Sequence, residues 1–306
     1  MSRQNRLEVE VAGLKLSNPT MLASGILGLS SGSLKEVAQA GAGAVVTKSV
    51  GLKPRKGYKN PTVVQVETGL INAMGLPNPG IHSFREEISE AKELGIPLIV
   101  SLYGFSPEDY AEAASIAVSG GADAVELNLS CPHVRGTGTE IGQDPAAASE
   151  TVKKVKMNVS KPVFVKLSPN VSNIAGIAEA VVEAGADALT AINTVRAMSI
   201  DIETTRPILA NKIGGLSGTA IKPIAVRCVY EIYEAVDIPI IGCGGASTWQ
   251  DAVEFMLAGA SAIQIGTAIA YKGLSIFRSI TDGIESYLER KGYRCVKDVV
   301  GLSHRS

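Results

Sequence analysis

Ala40-Gly41-Ala42-Gly43-Ala44-Val45-Val46-Thr47-Lys48 couples a glycine turn to an apolar run that closes on a lysine. Three later segments repeat the form: Gly120-Gly121-Ala122-Asp123-Ala124-Val125-Glu126-Leu127-Asn128, Ala184-Gly185-Ala186-Asp187-Ala188-Leu189-Thr190-Ala191-Ile192-Asn193 and Ala258-Gly259-Ala260-Ser261-Ala262-Ile263-Gln264-Ile265-Gly266. Each follows a helix-like stretch. Glycine near a helix end takes the left-handed conformation that stops the helix, and the apolar run behind it is strand-like. This is a weak internal repeat. Between its copies lie Ile96-Pro97-Leu98-Ile99-Val100-Ser101, Lys161-Pro162-Val163-Phe164-Val165-Lys166 and Ile238-Pro239-Ile240-Ile241-Gly242-Cys243, where proline opens a short buried strand. Pro19-Thr20-Met21-Leu22-Ala23-Ser24 brings the strands to eight, ending near Ser24, Lys48, Ser101, Asn128, Lys166, Asn193, Cys243 and Gly266. Helical patterns separate most of them, at about 33–40, 79–94, 107–119, 145–159, 172–184, 219–236, 247–258 and 274–291. Eightfold strand–helix alternation in an α/β chain reads as a (β/α)8 TIM barrel, one domain over 1–306. A doubly wound open sheet shows the same alternation but is disfavoured, because no G-x-G-x-x-G follows the first strand.

Composition narrows the function classes. The 306 residues are 45% hydrophobic and 19% charged, a globular balance. Lys+Arg 29 against Asp+Glu 30 leaves a net charge of −1, which argues against a generally basic nucleic-acid surface. Cys131, Cys228, Cys243 and Cys295 form no C-x-x-C pair, so a reducing cytoplasm is the expected location. The polar start Met1-Ser2-Arg3-Gln4-Asn5-Arg6 is no signal core. No stretch approaches the roughly 18 apolar residues of a spanning helix, so no membrane is expected as a partner.

Two connections exceed simple turns, 49–78 after the second strand and 194–218 after the sixth, and a shorter one, 130–144, carries Cys131 and several glycines. Long βα loops in a barrel sit on the face where active sites form, as lids or substrate walls.

The strands are apolar, yet Ser24, Lys48, Ser101, Asn128, Lys166 and Asn193 stand where they leave the barrel. A lysine ending a buried strand must desolvate or find an anion or acceptor. One such lysine is readily a structural ion pair; two lysines and two asparagines at one barrel end point to a ligand site. Gly242-Cys243-Gly244-Gly245-Ala246-Ser247 precedes the seventh helix, Gly214-Gly215-Leu216-Ser217-Gly218 precedes the sixth, and Gly266-Thr267-Ala268 follows the eighth strand. Such glycines either make tight turns or let backbone N–H groups meet a phosphate. Their place after strands seven and eight favours the phosphate of a substrate or of a flavin mononucleotide. Cys131, three residues past Asn128, is on the loop side of this site, as proton acceptor or as nucleophile. The histidines His82, His133 and His304 form no ligand pattern, and no metal is expected.

In combination and order, several motifs identify the chain as similar to the class 1, cysteine-type dihydroorotate dehydrogenases over nearly its whole length. They are Thr47-Lys48-Ser49, Asn72-Ala73-Met74-Gly75-Leu76-Pro77-Asn78, Glu126-Leu127-Asn128-Leu129-Ser130-Cys131-Pro132, Val165-Lys166-Leu167-Ser168-Pro169, Ile192-Asn193-Thr194, Gly214-Gly215-Leu216-Ser217-Gly218, Gly244-Gly245 and Gly266-Thr267. The resemblance implies one FMN per chain and oxidation of (S)-dihydroorotate to orotate in pyrimidine (UMP) synthesis. Cys131 is then the catalytic base. The implied flavin contacts are Ser24, Lys48, Ser49, Ser101, Asn128, Lys166, Ile192, Gly218, Gly244, Gly245, Gly266 and Thr267. Ser101 stands where relatives often have Asn. The implied substrate contacts are Lys48, Asn72, Ala73, Met74, Gly75, Leu76, Asn128, Asn193 and Thr194.

Ala191-Ile192-Asn193-Thr194 and Ala220-Ile221-Lys222-Pro223-Ile224-Ala225 resemble class 1B. That class works as a homodimer within a heterotetramer, whose partner subunit carries FAD and a [2Fe–2S] cluster and passes electrons to NAD. His133 and Cys243 depart from the common pattern. The alternatives are a fumarate-using class 1A-like homodimer, a dihydropyrimidine dehydrogenase-like flavin enzyme, a non-redox phosphate-binding barrel and an inactive scaffold subunit.

Overall fold

The computed structural model describes residues 6–129 and 141–305. Eight parallel strands close into a barrel: Thr20–Leu22, Ala44–Val46, Leu98–Leu102, Ala124–Asn128, Val163–Leu167, Ala188–Ala191, Ile240–Cys243 and Ala260–Ile265. Each pairs with its neighbours in chain order, and the eighth pairs with the first. The expected (β/α)8 barrel is therefore the observed fold. Seven helices follow the strands in turn among the described residues, from Ser31–Gln39 to Trp249–Leu257, and Ile276–Lys291 closes the ring.

The period of two along each strand sorts its side chains between two cores. One set packs outward on the helices, as Val163, Val165 and Leu167 do. The other fills the barrel: Met21, Ala44, Val46, Ile99, Ala124, Phe164, Ala188, Ile241 and Ala262 form its lower layers. An N-terminal hairpin, Val9–Val11 with Leu14–Leu16, plugs that end with Val11 and Leu16. Above these layers the inward positions turn polar: Ser101, Glu126, Asn128, Lys166, Thr190 and Gln264 are all buried.

The long connections, expected as lids or substrate walls, carry strands of their own. Residues 49–78 supply Val63–Val66 and Gly69–Asn72, and 194–218 supplies Val195–Ala197 and Gly214–Ser217. The four strands form one antiparallel sheet beside the barrel mouth. Gly214-Gly215-Leu216-Ser217-Gly218, whose glycines the sequence reads as a tight turn or a phosphate contact, is strand from Gly214 to Ser217. Its glycine serves close packing: a Cβ on Gly214 would stand 2.7 Å from the Asn72 carbonyl oxygen. A short helix, Ala268–Lys272, also goes beyond the sequence reading. Among the described residues no helix is long and apolar enough to cross a membrane.

Candidate active site

A cavity of about 630 Å³ opens at the C-terminal end of the barrel, between the strand ends and the four-stranded sheet. Each wall comes from a different part of the chain. Ser24, Lys48 and Ser49 follow the first two strands, Asn128 and Lys166 project from the fourth and fifth, and Ile192, Asn193 and Thr194 follow the sixth. Asn72, Met74, Gly75 and Leu76 line the side formed by the sheet and its following turn. Gly218, Gly244, Gly245, Gly266 and Thr267 line the side nearest the last two strands.

Two expected contacts do not line it. Ser101 is fully buried and holds Ser49 from behind, Oγ to Oγ at 2.9 Å. Ala73 alternates away from Asn72 and packs with Ile71 and Leu209. Cys131 and His133 lie outside the described residues.

Hydrogen bonds fix much of the mouth. Asn128 Nδ2 donates to Ser49 Oγ at 3.0 Å, and Asn193 Nδ2 donates to Asn128 Oδ1 at 3.2 Å. Ser24 joins the same chain at 3.3 Å from Ser49. The turn after Asn72 is held by Asn78, whose Nδ2 donates to the Leu76 carbonyl at 2.8 Å. Asn72 itself donates to the Gly215 carbonyl at 3.3 Å, and Thr267 Oγ1 donates to Ser217 Oγ at 2.7 Å. The sheet is thereby tied internally and to the eighth strand's loop.

The two lysines differ in electrostatics. Lys48 is half-buried, and burial lowers its pKa. No carboxylate among the described residues pairs with it, so an anionic ligand would relieve its desolvation. Lys166 is fully enclosed. Burial pulls its pKa down, but the Cys243 sulfur and the Glu126 carboxylate outweigh that pull and leave it above the ordinary lysine value. Cys243 also lines the cavity, and burial pushes its thiol up against the pull of Lys166.

The seventh helix does not offer its N-terminus to an anion. Asp251 Oδ2 accepts from Ser247 N and from Thr248 N, each at 2.9 Å, and Thr248 completes a capping box. The helix supplies its own carboxylate, so an anion must be met by the backbone of the glycine segments. A Cβ on Gly245, at φ +87°, would stand 2.8 Å from the Gly218 carbonyl oxygen, so this close approach admits only glycine. Burial alone would raise the Asp251 pKa; the Lys222 ammonium at 2.9 Å and the Ser247 and Thr248 donors bring it below the ordinary carboxylate value. A folded-state pKa below the unfolded one stabilises above the unfolded value, and that stability is lost as pH falls through the folded one. Asp251→Asn is therefore expected to cost about 1–2 kcal/mol in urea unfolding at neutral pH, and clearly less near about pH 3. An equal deficit at both pH values would contradict the assignment.

Sequence reading missed Gln264, Ser247, Tyr271 and Lys272, all on the cavity wall. Gln264 was visible in principle: it shares the inward face of Ala262, in a strand whose other residues are apolar save Ser261. The others stand on loops or a short helix with no periodic signal.

The family model described as dihydroorotate dehydrogenase matches residues 6–288. Three similar relatives share the name dihydroorotate dehydrogenase B (NAD(+)), catalytic subunit. That of Pyrococcus abyssi is 54% identical over 97% of this chain and 99% of its own length. That of Pyrococcus furiosus is 53% identical over 98% and 99%, and that of Methanothermobacter thermautotrophicus is 52% identical over 97% and 98%. With a barrel whose mouth gathers the lysines and asparagines of the expected motifs, and a match that runs through nearly all of it, the chain belongs to the dihydroorotate dehydrogenase family.

Proposed function

We propose that this chain is the catalytic subunit of an NAD-linked dihydroorotate dehydrogenase, oxidising (S)-dihydroorotate to orotate in pyrimidine synthesis. The observation that carries the reading is the convergence of Lys48, Lys166, Asn72, Asn128 and Asn193 on one cavity of about 630 Å³. Its size suits a cofactor with a small substrate.

The residues present fit FMN. A buried ammonium, Lys166, stands at one part of the cavity. A glycine-only close approach at Gly245 stands at another, where backbone can meet a phosphate. Ser24, Lys48, Ser49, Asn128, Ile192, Gly218, Gly244, Gly266 and Thr267 would complete the flavin contacts, with Ser101 supporting Ser49. When bound, the flavin supplies the hydride acceptor that no side chain offers.

The chain's own groups do the rest. Lys48 offsets the carboxylate of the substrate. Asn72, Asn128 and Asn193 carry both donors and acceptors and pair with the edge of a dihydropyrimidine ring. Met74, Gly75, Leu76 and Thr194 enclose it. Cys131 takes the proton from the ring carbon beside the one that bears the carboxylate. Electrons leave through a partner subunit that carries FAD and a [2Fe–2S] cluster and reduces NAD, two such pairs assembling around a homodimer of this chain in the cytoplasm. The names of the relatives, catalytic subunit and NAD(+), support this arrangement.

The test is anaerobic mixing of the FMN-loaded chain with dihydroorotate. Flavin absorbance is expected to bleach with dihydroorotate and to persist with dihydrouracil. Bleaching by dihydrouracil alone would replace the substrate, and a chain that takes up no FMN would overturn the flavin reading. Reduction of fumarate by the chain without a partner would replace the NAD-linked route.

A further inference from the structure

The proposed reaction leaves a polar cluster beneath the cavity unexplained. Glu126 is fully buried inside the barrel and does not line the cavity. Its Oε2 accepts from Gln264 Nε2 at 2.7 Å and from Thr190 Oγ1 at 2.9 Å. Its Oε1 has no hydrogen-bond partner among the described residues and lies 4.0 Å from Lys166 Nζ. Lys166 Nζ donates to Gln264 Oε1 at 3.0 Å, so the Gln264 amide bridges carboxylate and ammonium.

A carboxylate here is costly. Barrel layers are ordinarily filled by branched apolar side chains, and the layers directly below are apolar. A buried carboxylate with one unsatisfied oxygen loses hydration that its two hydrogen bonds do not fully replace. It touches no ligand itself. What it can do is compensate one charge that does.

The groups facing Lys166 narrow that role. From the seventh strand comes Cys243, whose sulfur also favours the ammonium of Lys166, but burial favours its own neutral thiol, so a lasting negative charge near neutral pH is left to a carboxylate. From the eighth comes Gln264, which is neutral. From the fourth comes Glu126, the remaining ionisable partner among the described residues. Lys48 carries the same sign as Lys166. Without Glu126, burial would favour the neutral amine.

We propose that Glu126 is a positioning residue that, directly and through Gln264, holds Lys166 as an ammonium at the cavity wall, so that the site presents a fixed positive charge to the flavin. The claim about the ion pair stands on the geometry; its consequence for the flavin rests on the functional reading above.

The two are separable by experiment. The flavin-free chain is labelled with ε-¹³C lysine, and Lys166 and Lys48 are assigned by Lys166→Met and Lys48→Ala. In the wild type, the Lys166 signal is expected to remain that of an ammonium past the point at which Lys48 loses its proton. In Glu126→Gln, which keeps shape and hydrogen bonding but removes the charge, its midpoint is expected to fall by about one pH unit or more. FMN affinity in that variant should then fall relative to the wild type as pH rises through the lowered Lys166 midpoint, by up to about tenfold per pH unit beyond it. A purely structural Glu126 would lower stability and leave the Lys166 titration unmoved, and that result overturns the proposal. If Glu126→Gln does not fold, the wild type decides: Lys166 losing its proton before Lys48 is equally fatal. A chain that never takes up FMN sinks the flavin reading, while the lysine titration still judges the ion pair.

Discussion

Lys166→Met is expected to destabilise the folded chain by about 3–5 kcal/mol and to abolish stable FMN binding. The first effect follows from what the substitution leaves behind. Glu126 stays fully buried, and the cation 4.0 Å from its otherwise unpartnered oxygen is gone. Gln264 Oε1 loses its 3.0 Å donor as well. Methionine is one atom shorter than lysine and similarly unbranched, so packing changes little and the loss is mainly electrostatic. Removing one member of a buried pair costs more than removing both, since the survivor is charged and dry. The double variant Lys166→Met/Glu126→Gln is therefore expected to recover most of the lost stability in urea unfolding, and none of the FMN binding. A single variant as stable as the wild type would mean that the pair contributes little.

Cys131→Ala is expected to lower the rate of flavin reduction by dihydroorotate by about 10²–10⁴ near neutral pH. FMN content should be unchanged, since the groups assigned to the flavin lie elsewhere in the chain. The reasoning is chemical. The substrate's ring proton is a weak carbon acid, and the proposed reading makes the Cys131 thiolate its acceptor. In sequence the loop follows the fourth strand, whose last residue, Asn128, lines the cavity. Serine at this position should restore part of the rate only at high pH, because a hydroxyl gives up its proton far less readily. Stopped-flow absorbance under anaerobic conditions reads both variants. An undiminished rate in Cys131→Ala would remove the base from the mechanism.

The barrel was legible in the sequence because its signals are local. A glycine that ends a helix, a proline that opens a strand and an apolar run of four to six residues each act within a few positions, and their eightfold order together with the absence of G-x-G-x-x-G after the first strand favoured closure over an open sheet. The residues at the strand ends were legible for the same reason. Lys48, Asn128 and Lys166 interrupt apolar runs, and an interruption at a strand end is visible without coordinates. The motif spacing then carried the family, which the comparisons bear out.

Other features are set by partners far apart in the chain. Glycine-rich 214–217 reads identically as a loop or as a tightly packed strand until Asn72 is known to lie against it. Ser101 and Ala73 are expected contacts, yet neither lines the cavity: Ser101 supports Ser49 from beneath and Ala73 packs with Ile71 and Leu209. Gln264 and Glu126 are separated by 138 residues and meet only when the fourth and eighth strands face each other across the barrel. Composition, periodicity and spacing determined by themselves that the chain is an eightfold barrel with lysines and asparagines at one rim. Only the closed barrel decided which carboxylate compensates which lysine, because electrostatic pairing falls off within a few ångströms and in low-dielectric surroundings is governed by distance in space, whatever the separation along the chain.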